Sequence, residues 1–186
     1  MSFLDNPKNA GFAMWAVGII QMVLAIVSIA YVFIDNKDIL LVVPGIGALI
    51  GGFIYFGFGN SVRTGAISEK WDILCVYVKT VGVVAIIAGI FGLLPLDLAV
   101  GGVVSIIIGL IILFIYKKMT DGNATTFDKI IWILLVLIFL IGIIGGLLSI
   151  ISFTIDGVLL GLCDVVIYAF MFLALFDSDV KAKMGM

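Results

Sequence analysis

WDILCVYVKTVGVVAIIAGIFGLLPLDLAVGGVVSIIIGLIILFIYKK, residues 71–118, contains two long apolar runs joined by a short turn. The runs are residues 71–94 and 97–116, and the turn between them contains Pro95. A helix that spans a bilayer needs about 20 mostly apolar residues, and each run meets that length. The stretch therefore predicts a transmembrane helical hairpin.

The composition of the whole chain agrees with a membrane location. Of its 186 residues, 64% are hydrophobic and 12% are charged, whereas soluble domains are roughly half apolar and about a quarter charged. The formal net charge of −2 and the absence of histidine argue against a nucleic-acid partner and against imidazole-held metal or haem. We expect an integral membrane protein without a cofactor.

Six apolar runs are long enough to span the membrane, and none alternates as a barrel strand would. They are residues 11–34, 39–58, 71–94, 97–116, 130–152 and 157–176. The sequence thus predicts an all-α protein with a single transmembrane domain over residues 1–186.

The basic residues fall almost entirely on one side of this topology. Eight of them are in the termini and the two longer loops, and only Lys37 is on the other side. Short loops rich in lysine and arginine stay in the cytoplasm. We therefore expect a multi-pass protein of the cell membrane with both termini cytoplasmic.

Two sets of markers recur along the chain. Tryptophans stand near the start of every second run at spacings of 56 and 61, and glycines stand early in the intervening runs at spacings of 56 and 60. This pattern predicts three tandem parallel hairpins (11–58, 71–116 and 130–176) in a pseudo-threefold bundle. Coincidence is the alternative, because tryptophan prefers membrane interfaces and glycine is common in membrane helices. The markers are Trp15, Trp71 and Trp132, and Gly45, Gly101 and Gly161.

The segment AGIFGLLP at residues 88–95, followed by a second apolar run, resembles HdeD-type six-span membrane proteins in its glycine and proline placement. The resemblance covers the middle hairpin. It implies a six-helix membrane architecture, as the hydropathy does.

Small residues at helical spacing indicate close helix packing, because glycine lets two backbones approach. They either pack one bundle internally or contact another subunit. The glycines concerned are Gly47 and Gly51, Gly82 and Gly89, and Gly157 and Gly161.

Lys79 and Asp164 are charges inside predicted spans, and such residues usually face a partner or the bundle interior. Counted along the helix axes, their depths differ by only about 6 Å. We hypothesise a pair between them, with the Tyr168 hydroxyl one turn from Asp164 and able to donate to it. The pair would be a structural staple or a titratable, ion-coupled site. In the third alternative the two never meet, and Asp164 faces a partner protein.

No convergent catalytic set is evident, so the sequence favours a non-enzymatic protein. We expect a homo-oligomer or an accessory subunit of a larger membrane complex, embedded in the lipid bilayer. The alternative is a small channel or carrier for an ion or small solute that uses Lys79 and Asp164.

Overall fold

The computed structural model describes residues 3–94, 96–121, 126–151 and 154–186. Within these ranges, six helices are long and apolar enough to cross a membrane, and a short seventh follows them. The prediction of an all-helical chain with six long apolar helices is confirmed, and these helices fit a small polytopic membrane protein. Pro95 in the predicted turn and Ser152 in the fifth run lie outside the described residues. The helices are α1 (Pro7–Ile34), α2 (Val42–Arg63), α3 (Lys70–Phe91), α4 (Ala99–Thr120), α5 (Thr126–Ile151), α6 (Ile155–Leu175) and α7 (Ser178–Lys183).

Helix α1 begins four residues earlier than its hydropathy predicts, because its start is set by polar groups. The Asn6 side chain accepts a hydrogen bond from the Lys8 amide at 3.0 Å, and Pro7 occupies the first helical position. Both are preferred at a helix start. The length of an apolar run gives no information about such polar capping groups.

Helix α2 begins later than predicted, and it also ends later. Residues Ile39–Leu41 form a 3₁₀ turn in which the Asp38 carboxylate accepts from the Leu40 amide at 3.0 Å. The helix then continues to Arg63, whose guanidinium lies 4.6 Å from the Trp15 ring. The helix therefore ends at a cation that packs on an aromatic ring, which is a favourable arrangement at a membrane interface.

Helix α7 was not predicted, since six residues are too few for a hydropathy signal. Asp177 caps its start by accepting from the Asp179 amide at 3.1 Å. Val180 and the following Met184 are almost fully buried, so this segment closes the end of the bundle against the core.

The helices pack chiefly as three antiparallel pairs, α1 with α2, α3 with α4 and α5 with α6. Between the pairs, α2 packs against α3 and α6 packs against α1. Helices α4 and α5 touch only slightly. The described bundle is thus tight at two of its junctions and open at the one between α4 and α5.

The apolar core occupies one end of the bundle. Asp5 and Asp177, near the two termini, both bind Lys70 there, and we call this the Lys70 end. Large buried side chains such as Met14, Phe139 and Phe170 lie in its half of the bundle. Toward the opposite, turn end, the buried described residues are mostly glycines. Most of the bulky buried side chains are therefore at the Lys70 end.

Each hairpin contains a pair of glycines that face each other across its two helices. A Cβ atom added to Gly18 would lie 2.7 Å from the Gly52 carbonyl oxygen. The corresponding distance from Gly89 to the Gly102 oxygen is 2.7 Å, and that from Gly146 to the Gly161 oxygen is 3.0 Å. Such contacts allow no side chain, which is why glycine occupies these positions. We call the three contacts the glycine seams.

The predicted packing glycines lie in three kinds of position. Gly82, Gly89 and Gly161 face the other helix of their own hairpin, and the last two are at glycine seams. Gly47 and Gly51 instead face Phe91 and Val84 of α3 and so pack the first hairpin on the second. Gly157 lies in the first turn of α6, where its amide donates to Thr154 Oγ1 at 3.2 Å.

Candidate functional site

Asp164 lies half-buried on α6, near tyrosines of other helices. Its carboxyl group is close enough to act electrostatically on the hydroxyls of Tyr55, Tyr77 and Tyr168. Tyr55 is on α2, Tyr77 on α3 and Tyr168 on α6, so each hairpin contributes one. We call Asp164 and these three residues the central polar cluster.

Three aromatic rings hold part of this cluster in place. The centroid of Tyr77 lies 6.2 Å from that of Phe139 and 6.3 Å from that of Tyr168, and the Phe139–Tyr168 distance is 6.3 Å. These spacings are typical of favourable aromatic contacts. The hydroxyls of Tyr77 and Tyr168 also lie close enough to interact. The second and third hairpins are therefore joined across the centre by a mixed apolar and polar contact.

The predicted bond from Tyr168 to Asp164 is not among the hydrogen bonds of the described residues. No hydrogen bond or ion pair joins Asp164 to another described side chain. A carboxyl group at membrane depth is expensive to leave without a partner, and this makes Asp164 the first candidate for a functional role.

The Lys79–Asp164 pair is not formed. Lys79 is exposed, and its ammonium lies 5.7 Å from the centroid of the Tyr116 ring on α4. Successive helical residues are rotated by about 100°, so Lys79 leaves α3 about 200° away from Tyr77, which faces Asp164's neighbourhood. The depths of Lys79 and Asp164 along the membrane normal are compatible with a pair, but the direction in which Lys79 leaves α3 is not.

A small cavity adjoins the aromatic rings where α4 and α5 fail to pack. Its volume is about 70 Å³, and Val81, Ile112 and Ile138 line it together with the rings of Tyr77 and Tyr168. The lining is apolar except for the two phenol groups. Its chemistry suits an apolar side chain or hydrocarbon group rather than a hydrated solute.

The predicted interface anchors all lie toward the Lys70 end. Two of them contact the last residues of α6 and α7. Trp132 Nε1 donates to the Leu175 carbonyl oxygen at 2.9 Å, and the Trp71 ring lies 5.7 Å from the Lys183 ammonium. Trp15 packs against Arg63. An indole offers both an apolar body and an N–H donor, which fits this boundary position.

Lys70 links the two ends of the chain. Its Nζ lies 2.7 Å from Asp5 Oδ1 and 3.0 Å from Asp177 Oδ2. The hydrogen bond from Lys70 holds the pKa of the Asp177 carboxyl below its usual value. A carboxylate with a lowered pKa stabilises the fold above the pKa of the unfolded state, near 4, and this stabilisation is lost as pH falls through the folded-state value.

Replacing Lys70 with methionine should therefore loosen α7. We expect faster amide hydrogen exchange in residues 178–183 of Lys70→Met at neutral pH, because Asp177 loses its cation. The unaltered protein should show the same loosening only below about pH 4. Lys8→Met, which removes an exposed lysine at the same end, is the control. Unchanged exchange in Lys70→Met would show that the link does not hold α7.

Sequence reasoning missed Tyr55, Tyr77 and Phe139. A signal was present for the tyrosines, since a phenol inside a spanning helix carries a hydroxyl that needs a partner. Nothing in the local pattern indicated Phe139, which resembles any other apolar residue of its run. In the described ranges no three Cys, Asp or Glu side chains are grouped so as to hold a metal ion.

Comparison of the chain with protein-family models, with characterised proteins and with solved structures gave no match.

Proposed function

We propose that this is a non-enzymatic protein of the cell membrane that acts by lateral contact, as a homo-oligomer or as an accessory subunit of a membrane complex. The open junction between α4 and α5 carries the proposal. These two helices adjoin each other in the bundle yet touch only slightly, and the cavity of about 70 Å³ lies between them. A helix from another subunit would complete this junction.

The proposal includes three tandem parallel hairpins with pseudo-threefold symmetry and both termini in the cytoplasm. The junctions α2–α3 and α6–α1 each join the second helix of one hairpin to the first of another, as threefold symmetry requires, and α4–α5 is the third junction of that kind. The glycine seam pairing of Gly89 with Gly102 recurs as Gly146 with Gly161, at shifts of 57 and 59 residues. Both observations support a repeat.

Because most of the packing glycines contact helices of the same chain, a partner subunit must bind through other residues. The seam glycines already face helices of their own chain, so they are not free to build a glycine interface with another subunit. The α4–α5 junction offers large apolar side chains instead, including the exposed Ile108 and Ile138. A partner helix would pack there by van der Waals contact, which drives association in lipid.

Native-mass measurement after gentle extraction tests this. We expect a species heavier than the monomer, and we expect Ile138→Trp to reduce it to the monomer by filling the cavity. Ile144→Trp is the matched control, because Ile144 is an exposed residue that leaves α5 about 120° away from Ile138. A lone, stable monomer of the unaltered protein would overturn the proposal.

A second candidate function, transport of an ion or small solute, is favoured by the central polar cluster. Asp164 has no ion-pair partner among the described residues, and three hairpins surround it with tyrosines. The site differs from the one expected from the sequence, because Lys79 is outside it. A carboxyl group beside phenol hydroxyls suits a proton or a monovalent cation.

Flux into proteoliposomes under an imposed gradient tests this second function. We expect uptake of protons or monovalent cations to be lost in Asp164→Asn and kept in Asp97→Asn, which alters an exposed turn residue. Equal uptake by Asp164→Asn and the unaltered protein would eliminate the candidate.

A further inference from the structure

A groove formed by α3, α4 and the connection between α2 and α3, at the Lys70 end, is a candidate site for a ligand. Its volume is about 560 Å³, and its lining includes Trp71, Asp72, Cys75, Tyr116 and Thr120. Trp71 and Tyr116 are amphipathic aromatics of the kind that occupy the membrane interface. We call it the α3–α4 groove.

The ammonium of Lys79 lies beside Tyr116, one of the residues that line this groove. It stands 5.7 Å from the ring centroid of Tyr116, and α4 ends only four residues beyond Tyr116, at Thr120. Four helical residues rise about 6 Å, so the ammonium is just inside the interface although its backbone lies deeper. Lysine side chains reach the interface in this manner. No carboxylate of the described residues lies within ion-pair distance of it.

Asp72 supplies the opposite charge nearer the end of the helix. Seven residues separate it from Lys79, which places the two on nearly the same face of α3 and about 10 Å apart along the axis. Asp72 is exposed and forms no ion pair with a described residue. The neighbouring Glu69 differs, since its carboxylate lies 3.7 Å from the Lys183 ammonium. The groove therefore presents a cation on its inner side and an anion on its outer side.

We propose that the α3–α4 groove binds a phospholipid whose head group carries a primary amine, with the phosphate on Lys79 and the amine on Asp72. In such a lipid the phosphate lies nearest the hydrocarbon and the amine lies farther out, which is the order of the two side chains. The primary amine can donate hydrogen bonds to a carboxylate, whereas a choline group cannot. A purely anionic head group would be attracted by the ammonium of Lys79 but repelled by the carboxylate of Asp72.

Lipid retention by the purified full-length protein, measured by native mass spectrometry, tests the proposal. The detergent-solubilised protein is incubated with phosphatidylethanolamine, phosphatidylcholine or phosphatidylglycerol of the same acyl chains. We expect phosphatidylethanolamine to be retained about tenfold more than either of the others, the effect of one charge-assisted hydrogen bond.

Two variants assign the two contacts. Asp72→Asn should bring phosphatidylethanolamine retention down to the phosphatidylcholine level, and Lys79→Gln should lower retention of all three lipids about tenfold. Lys79→Arg should keep retention, and Lys129→Gln, an exposed lysine outside the groove at the same end, should change nothing. Helix content by circular dichroism verifies that each variant is folded.

Three results would overturn the proposal: equal retention of the three lipids, a preference for phosphatidylglycerol, or an unaltered amine preference in folded Asp72→Asn. Both altered side chains are exposed, so folding of the variants is expected. The lipid test measures retention and the association test measures the mass of the protein, so failure of one is distinguishable from failure of the other.

Discussion

Replacing Gly59 with alanine is expected to lower the free energy of unfolding by about 3 kcal/mol, near the top of the usual range for overpacking. A Cβ at Gly59 would meet the backbone of α1, with the Met14 carbonyl carbon and the Trp15 Cα each at 2.7 Å. Those are backbone atoms, so no side-chain rotation can relieve the clash. Helices α1 and α2 would have to move apart along the hairpin.

Gly57→Ala is the matched control, because a Cβ at Gly57 has no neighbour within 4 Å. The same chemical change two residues away should alter stability by no more than about 1 kcal/mol, and in the stabilising direction set by helix propensity. Unfolding of the solubilised protein, followed by circular dichroism during titration with a denaturing detergent, gives both values. Equal effects of the two substitutions would mean that the close approach of α1 and α2 does not contribute to the stability of the protein.

Phe170→Ala is expected to destabilise the protein by about 3 kcal/mol, at the low end of the range for a buried phenylalanine. Phe170 is on α6 with 0% of its surface exposed, within the core at the Lys70 end. The low end applies because a lipid or detergent environment is itself apolar, which leaves lost packing contacts as the main cost.

Phe53→Ala is the control that distinguishes loss of buried packing from the mere loss of a phenylalanine. Phe53 is 58% exposed on α2, so its ring contacts the surrounding lipid or detergent in both states. We expect its removal to change the free energy of unfolding by less than about 0.5 kcal/mol, measured in the same titration. A loss as large as that of Phe170→Ala would contradict a core located at the Lys70 end.

The helical segments could be predicted because a membrane leaves the backbone few choices. Buried amide groups must pair within the segment, so an apolar run of sufficient length becomes a helix. The starts of α1 and α2 could not be read from hydropathy, since Asn6 and Asp38 set them through hydrogen bonds to backbone amides. Helix α7 depends on tertiary contact, because Val180 and Met184 are buried only against the rest of the bundle.

The central polar cluster shows a different limit. Asp164 was found from the sequence because a charge stands out in an apolar run, but its neighbours were not. Tyr55, Tyr77 and Tyr168 come from helices far apart in the chain, and which of them meet depends on the direction each helix faces. The same uncertainty in direction led to the pairing of Asp164 with Lys79, which leaves α3 on another side.

The sequence by itself determined that six segments are helices long and apolar enough to cross a membrane and that small residues let some of them approach closely, because hydropathy and the absence of a Cβ are properties of single residues. Only the tertiary structure decided which faces meet. Lipid is as apolar as the helix surfaces, so helix pairing follows from shape complementarity rather than from hydrophobicity. That complementarity closes the glycine seams, leaves α4 and α5 apart, and turns Asp164 inward and Lys79 outward.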